Sequence, residues 1–597
     1  MIFILCFMSR QWRTGRECAR TSASSREATP PCCRNDPNGP VYYKGIYHLF
    51  YQFNPTAAVW GDMHWGHAIS RDGMLTWEQL PVALSPDQPY DVGGVFSGSI
   101  TLLPTLSGEH LPVISYTCVD SSKAQMQCLA VPADAADPTL QAWVKPNVNP
   151  FLPKGPLGTP PTFFRDPSTA WQLHSGSDWL FAVGAVPDGV PSTVVYAAST
   201  QSFLSKQWRY NGTLFTFPQA AQWADMYECP DFFPLPLQSA GASAAVCPQS
   251  AGWDGQVWAA KISALPGRRD YIALGCFDPK ALHWEQHGNV TLYDGGVWYA
   301  SKTFDADGRR VLWGWVTETD AQANWVARGW AGVQSLPLVL SIHPELMVVA
   351  AEPLPQLSAL TSPVASAPAP AGANTTLCAS CKRQLRVQGR LRVQGTSANV
   401  SSMHEALALA GQSAARLCMG AFDSDTGECS EGPQVVASAL PAVQAEEGTG
   451  IASGGFIDIS APQGGSAACA AACAVQYGAS CVAWQQQGST CSLFSFVGGL
   501  QQCSSCTAGI IGGVVVTVGS GSGGASMGAL AHASTLGAGG VHVDVWYDRS
   551  IVQLYAAQGT VRLTSRWYNR GNATVVISGA GSVGPMSLSS VGSIWGV

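Results

Sequence analysis

The feature that most constrains this chain is a long succession of short apolar and aromatic runs separated by Gly, Pro and Asp clusters. Strong helical periodicity is missing between about residues 41 and 345, and the run 46–53 is apolar on both alternating faces. A strand of that kind belongs in a sheet that is covered on both sides, as in stacked propeller blades. The chain is therefore expected to be all-β. Strands are predicted at 46–53, 97–103, 179–183, 193–198, 271–277, 298–304 and 311–316.

The amino-acid composition limits the kinds of molecule that the protein is expected to bind. Charged residues make up 12% of the 597 residues and the formal net charge is -7, which argues against a nucleic-acid surface and a basic membrane-binding face. A neutral small-molecule substrate fits better, and the aromatic fraction of 10% provides rings for core packing or for stacking on sugars. The sequence contains no apolar run of 18 residues, so no membrane-spanning helix is predicted.

Cysteines and glycosylation signals indicate an oxidising route. The count of 19 is odd, so at least one thiol is free if the others pair. Asn-x-Ser/Thr signals occur at Asn211, Asn289, Asn374, Asn399 and Asn572. A secreted, cell-wall or vacuolar location is expected, although residues 1–34 lack a convincing signal and are interpreted as a targeting segment or a mispredicted leader.

Domain boundaries follow from changes in composition. Residues 35–348 form the first predicted domain, and 349–377 are rich in Pro, Ala and Ser and predict a linker. Residues 378–597 predict a β-sandwich, because 541–547, 551–555 and 561–567 alternate in the manner of sandwich strands. Weak strands are expected near 385–394, and a short helix at 403–417.

A cysteine-dense insert at 466–508 interrupts the second domain. Its spacing, with Trp484 following the third of Cys469, Cys473, Cys481 and Cys491, resembles a PAN/apple-type module. That resemblance implies a disulfide-bonded unit with a carbohydrate or protein ligand. A zinc site joining Cys378 and Cys381 to Cys503 and Cys506 is the alternative, which the absence of an accompanying His cluster disfavours.

Three carboxylates lie beside prolines in mostly apolar segments. Asp36 is in Asn-Asp-Pro-Asn-Gly, Asp166 in Phe-Arg-Asp-Pro and Glu228 in Tyr-Glu-Cys-Pro-Asp. A tight turn is predicted at 35–40, ahead of a hairpin that reverses at Lys44-Gly45. Each acid alone is more often a turn cap. Together they suit a retaining glycosidase, in which one carboxylate attacks the anomeric carbon while another protonates the leaving oxygen.

These segments resemble glycoside hydrolase family 32, the invertases and related β-fructofuranosidases. The box at 35–40 is followed by the run from Tyr47 to Pro55, and further matches occur in the family's order. They are Trp60-Gly61, Trp65-Gly66-His67, Phe96-Ser97-Gly98-Ser99, Phe164-Arg165-Asp166-Pro167, Tyr227-Glu228-Cys229-Pro230-Asp231-Phe232, Tyr299-Ala300-Ser301-Lys302-Thr303-Phe304, Gly329-Trp330-Ala331-Gly332-Val333-Gln334 and Asp548-Arg549-Ser550-Ile551-Val552.

The resemblance implies a five-bladed β-propeller followed by a C-terminal β-sandwich. It implies Asp36 as nucleophile, Glu228 as acid/base and Asp166 as the stabiliser of the transition state. Asp36 must then stay ionised, whereas Glu228 must hold a proton, which repulsion from two neighbouring acids favours. The substrate-binding residues that it implies are Asn35, Gln52, Trp60, Trp65, Phe96, Ser97, Arg165 and Tyr299, with core packing as the alternative for Trp65 and Tyr299.

The sequence departs from the family just before the nucleophile. Plant-like members usually carry a Trp two residues before the Asn-Asp pair, where this chain has Cys33. We expect this change to remove a wall of the pocket and the first strand. Leu338 and Gln553 replace an Arg and a Glu that the family usually has, and neither is expected to touch the three acids.

The leading hypothesis is retaining hydrolysis of sucrose through a fructosyl ester on Asp36, with no cofactor or metal. Fructan exohydrolase or fructosyltransferase activity is the alternative within the same chemistry, because acceptor choice depends on the rim of the pocket. A catalytically weak carbohydrate-binding wall protein is the alternative from another class.

Overall fold

The computed structural model describes residues 32–217, 224–237, 243, 245–249, 252–344, 346–369, 375–381, 384–391, 415–419, 421–423, 428–431, 433–440, 443–453, 456–460, 483–487, 490–494, 499–510, 513–520, 527–531, 541–548, 550–566, 573–579 and 583–591. Strands dominate these residues. The described helices are α1 (Gln322–Arg328) and the short 3-10 turns Pro187–Gly189, Thr200–Ser202 and Pro355–Leu360.

The first half of the chain forms five antiparallel sheets. Blade 1 contains β1 (Cys32–Tyr43), β2 (Ile46–Asn54), β3 (His64–Ser70) and β4 (Glu78–Leu84). Blade 2 contains β5 (Gly94–Pro104), β6 (His110–Val119), β7 (Gln125–Pro132) and β8 (Trp143–Val144). Blade 3 contains β9 (Phe164–Arg165), β10 (Trp171–Gln172), β11 (Trp179–Ala185), β12 (Ser192–Ala198) and β13 (Arg209–Phe215).

Blades 4 and 5 complete the series. Blade 4 contains β14 (Ala224–Pro234), β15 (Val257–Pro266), β16 (Arg269–Asp278) and β17 (His283–Leu292). Blade 5 contains β18 (Trp298–Ala306), β19 (Arg309–Val316), β21 (Val333–Gln334), β22 (Leu338–His343) and β23 (Val348–Pro353). The remaining strand, β20 (Trp330–Ala331), pairs in parallel with the start of β1, so the end of the series is joined to its beginning.

Strands of neighbouring blades contact one another in a closed ring. β1 contacts β5, β5 contacts β9, β11 contacts β14, β14 contacts β18, and β18 contacts β1. Large apolar side chains pack between the sheets on both faces, as expected from runs that are apolar on both sides. The predicted five-bladed β-propeller is confirmed, and the strands predicted between residues 46 and 316 are present.

The second half of the chain is also built from strands. They are β24 (Thr361–Ala369), β25 (Thr375–Cys381), β26 (Gln384–Leu391), β27 (Ala415–Met419), β28 (Ala421–Asp423), β29 (Glu428–Glu431), β30 (Pro433–Leu440), β31 (Val443–Ser453), β32 (Phe456–Ser460), β33 (Ala483–Gln487), β34 (Thr490–Phe494), β35 (Gly499–Ile510), β36 (Gly513–Ser520), β37 (Met527–Ala531), β38 (Val541–Asp548), β39 (Ile551–Ala556), β40 (Val561–Arg566), β41 (Ala573–Gly579) and β42 (Val583–Val591).

Two six-stranded sheets form the predicted C-terminal sandwich. Their strand orders are β24-β42-β26-β38-β39-β40 and β25-β41-β27-β30-β36-β37. A further sheet of order β31-β35-β33-β34-β32 carries the cysteine-dense segment. Its described strands begin at Val443, so the unit starts before residue 466, where the insert was predicted to begin. Residues 461–482, with the first three cysteines of the module, lie outside the described residues.

Three local predictions differ from the structure. Residues 349–377 are not a plain linker, because they contain most of β23, a 3-10 turn, β24 and the start of β25. The predicted turn at 35–40 is part of β1, which pairs with β2 and β20, so the expected loss of the first strand is also wrong. Of the helix predicted at 403–417, only its end is described, and Ala415 begins β27.

Within the described residues, no helix is both long and apolar enough to cross a membrane.

Candidate active site

The predicted site residues lie where the first strands of the blades lose their regular register. β1 is irregular between Arg34 and Pro37, which brackets Asp36. β5 is irregular between Val95 and Gly98, and β14 between Glu228 and Asp231. Bulges bend a strand and re-aim its side chains, and they are common next to active sites. Blades 1, 2 and 4 therefore carry predicted site residues at or next to interruptions of the ladder.

Asp36 occupies the irregular part of β1 and is only partly buried. The Ser97 hydroxyl donates to its Oδ2 over 2.7 Å and the Asn35 amide donates to its Oδ1 over 3.2 Å. Burial raises the pKa of Asp36 to about 6; the hydrogen bond from Ser97 opposes this shift, while the charges of Asp166 and Glu228 add to it. The carboxylate thus accepts a hydrogen bond at each of its two oxygens.

Asp166 follows β9 with a φ of 68°, in the left-handed region that non-glycine residues adopt uncommonly and Asp more often than most. Its amide donates to the Thr117 hydroxyl over 2.7 Å, and its Oδ2 accepts from the Cys229 amide over 3.0 Å. Burial, reinforced by the Glu228 charge, raises the pKa of Asp166. Its carboxylate is tied to the strand that carries Glu228.

Glu228 is held at both oxygens. Arg165 donates from Nε and Nη2 to Oε1 over 2.9 and 2.8 Å, and the Tyr299 hydroxyl donates to Oε2. Burial, followed by the Glu228 charge, raises the pKa of Tyr299 well above its usual value, so its hydroxyl remains a donor. Arg165 is itself fixed by the Gln125 amide oxygen and the Thr162 carbonyl. The Arg165 fork gives Glu228 a defined orientation.

The other predicted substrate-binding residues divide by exposure. Trp60 is 58% exposed, and its ring meets the partly exposed Phe96 edge to face at 5.5 Å between centroids. Asn35, Gln52 and Ser97 are buried, and the Gln52 amide donates to the Val95 carbonyl over 3.1 Å. Among the predicted substrate-binding residues, the Trp60 and Phe96 rings are the ones with apolar surface exposed to a sugar.

Trp65 is placed in the core rather than on the pocket surface. Its relative exposure is 0%, it packs against Phe50 and Tyr116, and its Nε1 donates to the Phe96 carbonyl over 3.0 Å. This burial favours the core-packing alternative for Trp65. Through this hydrogen bond Trp65 holds the backbone of Phe96 in place.

Cys229 is a site residue that the sequence reasoning missed. Its sulfur lies 3.8 Å from Asp36 Oδ2 and 3.6 Å from Asp166 Oδ2, so one thiol joins two of the three acids. Burial, followed by the charges of Asp166 and Asp36, raises the pKa of Cys229 well above its usual value. It stays a thiol and acts as a weak donor. The sequence feature that could have identified Cys229 is its position directly after Glu228. The strand bulges there, and neighbouring side chains turn to the axis.

Among the described residues, no group of three or more His, Cys, Asp or Glu side chains could hold a metal ion. The two cysteine pairs considered for zinc lie in different sheets, because Cys378 and Cys381 are on β25 of the sandwich and Cys503 and Cys506 are on β35.

A five-bladed propeller that gathers three carboxylates, an Arg and a Tyr at its axis defines the class of carboxylate-based glycoside hydrolases. The family model described as "Glycosyl hydrolases family 32 N-terminal domain" matches residues 28–353. The chain belongs to glycoside hydrolase family 32.

Relatives within the family agree with this assignment. The chain is 44% identical over 317 residues to "Beta-fructofuranosidase 1" of Zea mays, covering 51% of this chain and 46% of the maize protein. It is 41% identical over 311 residues to "Acid beta-fructofuranosidase 2, vacuolar" of a Rosa hybrid cultivar, covering 51% and 46%. The chain thus spans about half the length of the curated relatives it matches.

Among solved structures, the chain is similar to fructan 1-exohydrolase IIa from Cichorium intybus. The TM-score is 0.67 at 25% sequence identity, and the match covers 94% of this chain and 96% of that one. The likeness therefore extends beyond the propeller into the sandwich.

Proposed function

We propose that the protein hydrolyses the terminal β-D-fructofuranosyl bond of sucrose with retention of configuration. The observation that carries this proposal is that three acids meet at the propeller axis. Cys229 contacts Asp166 through its amide and Asp36 through its sulfur. Arg165, next to Asp166, binds Glu228. In a retaining glycosidase one carboxylate attacks and a second gives and later takes a proton.

Asp36 is assigned as the nucleophile. It is partly exposed, and its two donors orient the carboxylate without an ion pair, which leaves an oxygen able to form a fructosyl ester. In the first step the Oδ attacks the anomeric carbon, the glycosidic bond breaks, and the glucosyl oxygen takes a proton from Glu228. Water, deprotonated by Glu228, then cleaves the ester and releases fructose.

Glu228 is assigned as the acid/base. Oε1 accepts two hydrogen bonds from Arg165 and Oε2 accepts one from Tyr299, so Oε2 has a second lone-pair position that can carry the proton for the leaving oxygen. Asp166, locked by the Cys229 amide, is assigned as the group that holds fructose hydroxyls as positive charge develops on the ring.

The experiment is to measure glucose and fructose release from sucrose by the protein and by Asp36→Ala and Glu228→Gln variants. We expect both variants to lose at least about 10³-fold in kcat, since each removes a covalent or proton-transfer role. Release by either variant at the rate of the unmutated protein would contradict the assignment. A silent unmutated protein that still binds sucrose would favour the carbohydrate-binding alternative.

Fructan exohydrolysis is a second candidate, because the similar solved structure is named a fructan 1-exohydrolase and the match spans both domains. Product analysis on sucrose, inulin-type and levan-type fructans distinguishes the two, and tri- and higher saccharides formed at high sucrose concentration would indicate fructosyl transfer. The ligand of the unit between Val443 and Ile510 is proposed to be a carbohydrate or a protein. Deleting 466–508 is expected to leave sucrose hydrolysis largely intact.

We propose a secretory destination, the cell wall or the vacuole. Disulfides join Cys118 to Cys128 and Cys247 to Cys276, and the Asn211 glycosylation signal lies on the exposed part of β13. Immunolocalisation of the tagged full-length protein, compared before and after glycosidase treatment, tests this location. An unglycosylated cytosolic pool with reduced cysteines would contradict it.

A further inference from the structure

Two lysines are buried directly behind the three carboxylates. Lys302 on β18 and Lys261 on β15 are each 1% exposed. A buried lysine is rare and costly unless its ammonium group is fully supplied with acceptors. The ammonium groups of both lysines are accounted for by specific acceptors, and most of these belong to the segments that carry the proposed catalytic acids.

Lys302 links blade 5 to blades 3 and 4. Its Nζ donates to the Pro230 carbonyl over 3.2 Å and to the Pro167 carbonyl over 3.5 Å. Pro167 directly follows Asp166, and Pro230 is two residues after Glu228. The Pro167 carbonyl also accepts from the Ser99 hydroxyl of blade 2 over 2.9 Å. One ammonium group therefore joins the backbone behind one acid to the backbone behind the other.

Lys261 makes a parallel link between blades 4 and 5. Its Nζ donates to the Cys229 carbonyl over 3.1 Å, to the Ser301 carbonyl over 2.6 Å and to the Ser263 hydroxyl over 2.9 Å. It also lies 3.6 Å from Asp270 Oδ2. Asp270 in turn accepts from the amides of Ala300 and Ser301, next to Tyr299. This lysine has its own counter-charge, whereas both hydrogen bonds of Lys302 go to carbonyl oxygens.

The charge of Lys302 acts on the same acids. Burial lowers the pKa of Lys302, while the nearby Asp231 and Asp166 charges oppose that shift; Lys302 in turn favours the ionised form of Asp166 against burial and the Glu228 charge. Asp231 is also fixed by the Thr303 amide and hydroxyl, one residue beyond Lys302. Removing the Lys302 ammonium would leave Lys261, which already faces Asp270, as the remaining described lysine on this side of the carboxylates.

We propose that Lys302 is a positioning residue for the reaction: it fixes the separation of Asp166 and Glu228 through the two carbonyls and offsets their negative charge. This inference rests on the proposed function for its kinetic readout. Two direct links already join these strands, from Arg165 to Glu228 and from the Cys229 amide to Asp166. The buried Lys302 ammonium adds a third link, between the backbone segments that follow the two acids.

The test compares Lys302→Met and Lys302→Arg with a control, Lys145→Met. Methionine keeps most of the volume but removes the charge and both donors, whereas arginine keeps the charge. Lys145 is a partly buried lysine next to blade 2, paired with Asp91 over 2.6 Å, and its loss costs stability without touching the two carbonyls. Thermal unfolding, kcat, KM and the pH dependence of kcat/KM on sucrose are measured for each.

For Lys302→Met we expect kcat to fall about tenfold or more with KM changed much less, because the acids are misplaced. The acid limb of kcat/KM should move to higher pH by about half a unit or more, because a neighbouring positive charge has been lost. Lys302→Arg should lower kcat but keep the acid limb in place, and Lys145→Met should lower only stability. Unchanged kcat and acid limb in a folded Lys302→Met protein would overturn the proposal.

Two further outcomes remain decisive. If Lys302→Met does not fold, Lys302→Arg carries the test, and a kcat equal to that of the unmutated protein would overturn the proposal. If the unmutated protein cleaves neither sucrose nor fructans, the proposed function fails while the positioning role is still tested by crystal structures. Those of Lys302→Met and the unmutated protein should then differ in the spacing of Asp166 and Glu228, and an unchanged spacing would refute it.

Discussion

Arg566 of the sandwich and Glu318 of the propeller form an ion pair with both side chains buried, Nη2 to Oε1 over 2.8 Å. The same Glu318 oxygen accepts from the Gly332 amide over 2.7 Å. Gly332 has a φ of 68° and lies so close to the Arg34 carbonyl that any side chain there would clash. Two residues later, the Gln334 amide donates to the Asn35 carbonyl. The sandwich is thus connected to the backbone that leads into Asp36.

Arg566→Met should therefore destabilise both domains together. We expect a loss of about 2–4 kcal/mol in the free energy of unfolding, because Glu318 keeps Arg328 but loses a buried partner. The control is Arg209→Met, whose pair with Asp178 is exposed and should be worth less than about 1 kcal/mol. Urea unfolding followed by tryptophan fluorescence measures both. Equal effects of the two substitutions would contradict the buried link.

Asp36→Asn should make the protein more stable at neutral pH while abolishing hydrolysis. The folded pKa of Asp36 is about 6, above its ordinary value of 3.8, so the folded state holds the proton more tightly and stability falls as pH rises from about 4 to 6. The asparagine removes this penalty, for a gain of about 1–3 kcal/mol at pH 7 and little gain at pH 3.5.

The matched control for that experiment is Asp188→Asn. Asp188 is exposed and has a φ of 50°, a conformation that asparagine also tolerates. Its substitution should change stability equally little at both pH values. An Asp36→Asn protein that is less stable than the unmutated one at pH 7 would show that Asp36 is not under the proposed electrostatic strain.

Two buried histidines, His48 and His67, should make the protein less stable as the pH falls, which is the opposite of the effect expected for Asp36. Their rings stack inside blade 1 with His48 Nδ1 3.0 Å from His67 Nε2. Burial lowers the pKa of His48 to about 4 and that of His67 well below its usual value, with Asp137 and Arg71 as the charged neighbours of His48. A lowered folded pKa leaves stability complete above pH 6.5 and reduces it as pH falls toward 4.

His48→Gln should reduce the loss of unfolding free energy between pH 6.5 and pH 4 by about 2 kcal/mol or less. At neutral pH the substitution should lower the free energy of unfolding modestly. Because Asp36 acts with the opposite sign in part of this range, the comparison is best made in the Asp36→Asn background. Unfolding curves that stay parallel for the two proteins from pH 6.5 to 4 would rule out the histidine pair as a source of acid sensitivity.

The strands of the propeller were predictable because they are aromatic and branched runs bounded by turn residues, as at 46–53 and 298–304. The bulges were not, because a bulge is a property of pairing between strands rather than of one strand's composition. Residues 35–40 contain Asn, Pro and Gly and were therefore interpreted as a turn. The structure makes them the irregular middle of β1, where Gly39 takes a φ of 42°.

The candidate site was predictable as a set of motifs but not as a set of contacts. The alternation of a strand does not say which tryptophan meets solvent, and Trp65 is buried whereas Trp60 is exposed. Lys302 lies in a matched motif, yet its function depends on carbonyls more than 70 residues away, which no spacing reveals.

Ser97→Ala should shift the pH dependence of hydrolysis. The Ser97 hydroxyl donates to Asp36 over 2.7 Å and opposes the rise in its pKa, so its removal should raise that pKa above about 6. The nucleophile must be ionised, and we therefore expect the acid limb of kcat/KM to move to higher pH by about half to one unit. The rate at pH 7 should fall less than the rate at pH 5. Ser107→Ala, an exposed serine of the β5–β6 turn, is the control, and an acid limb that stays in place in both variants would show that Asp36 does not govern it.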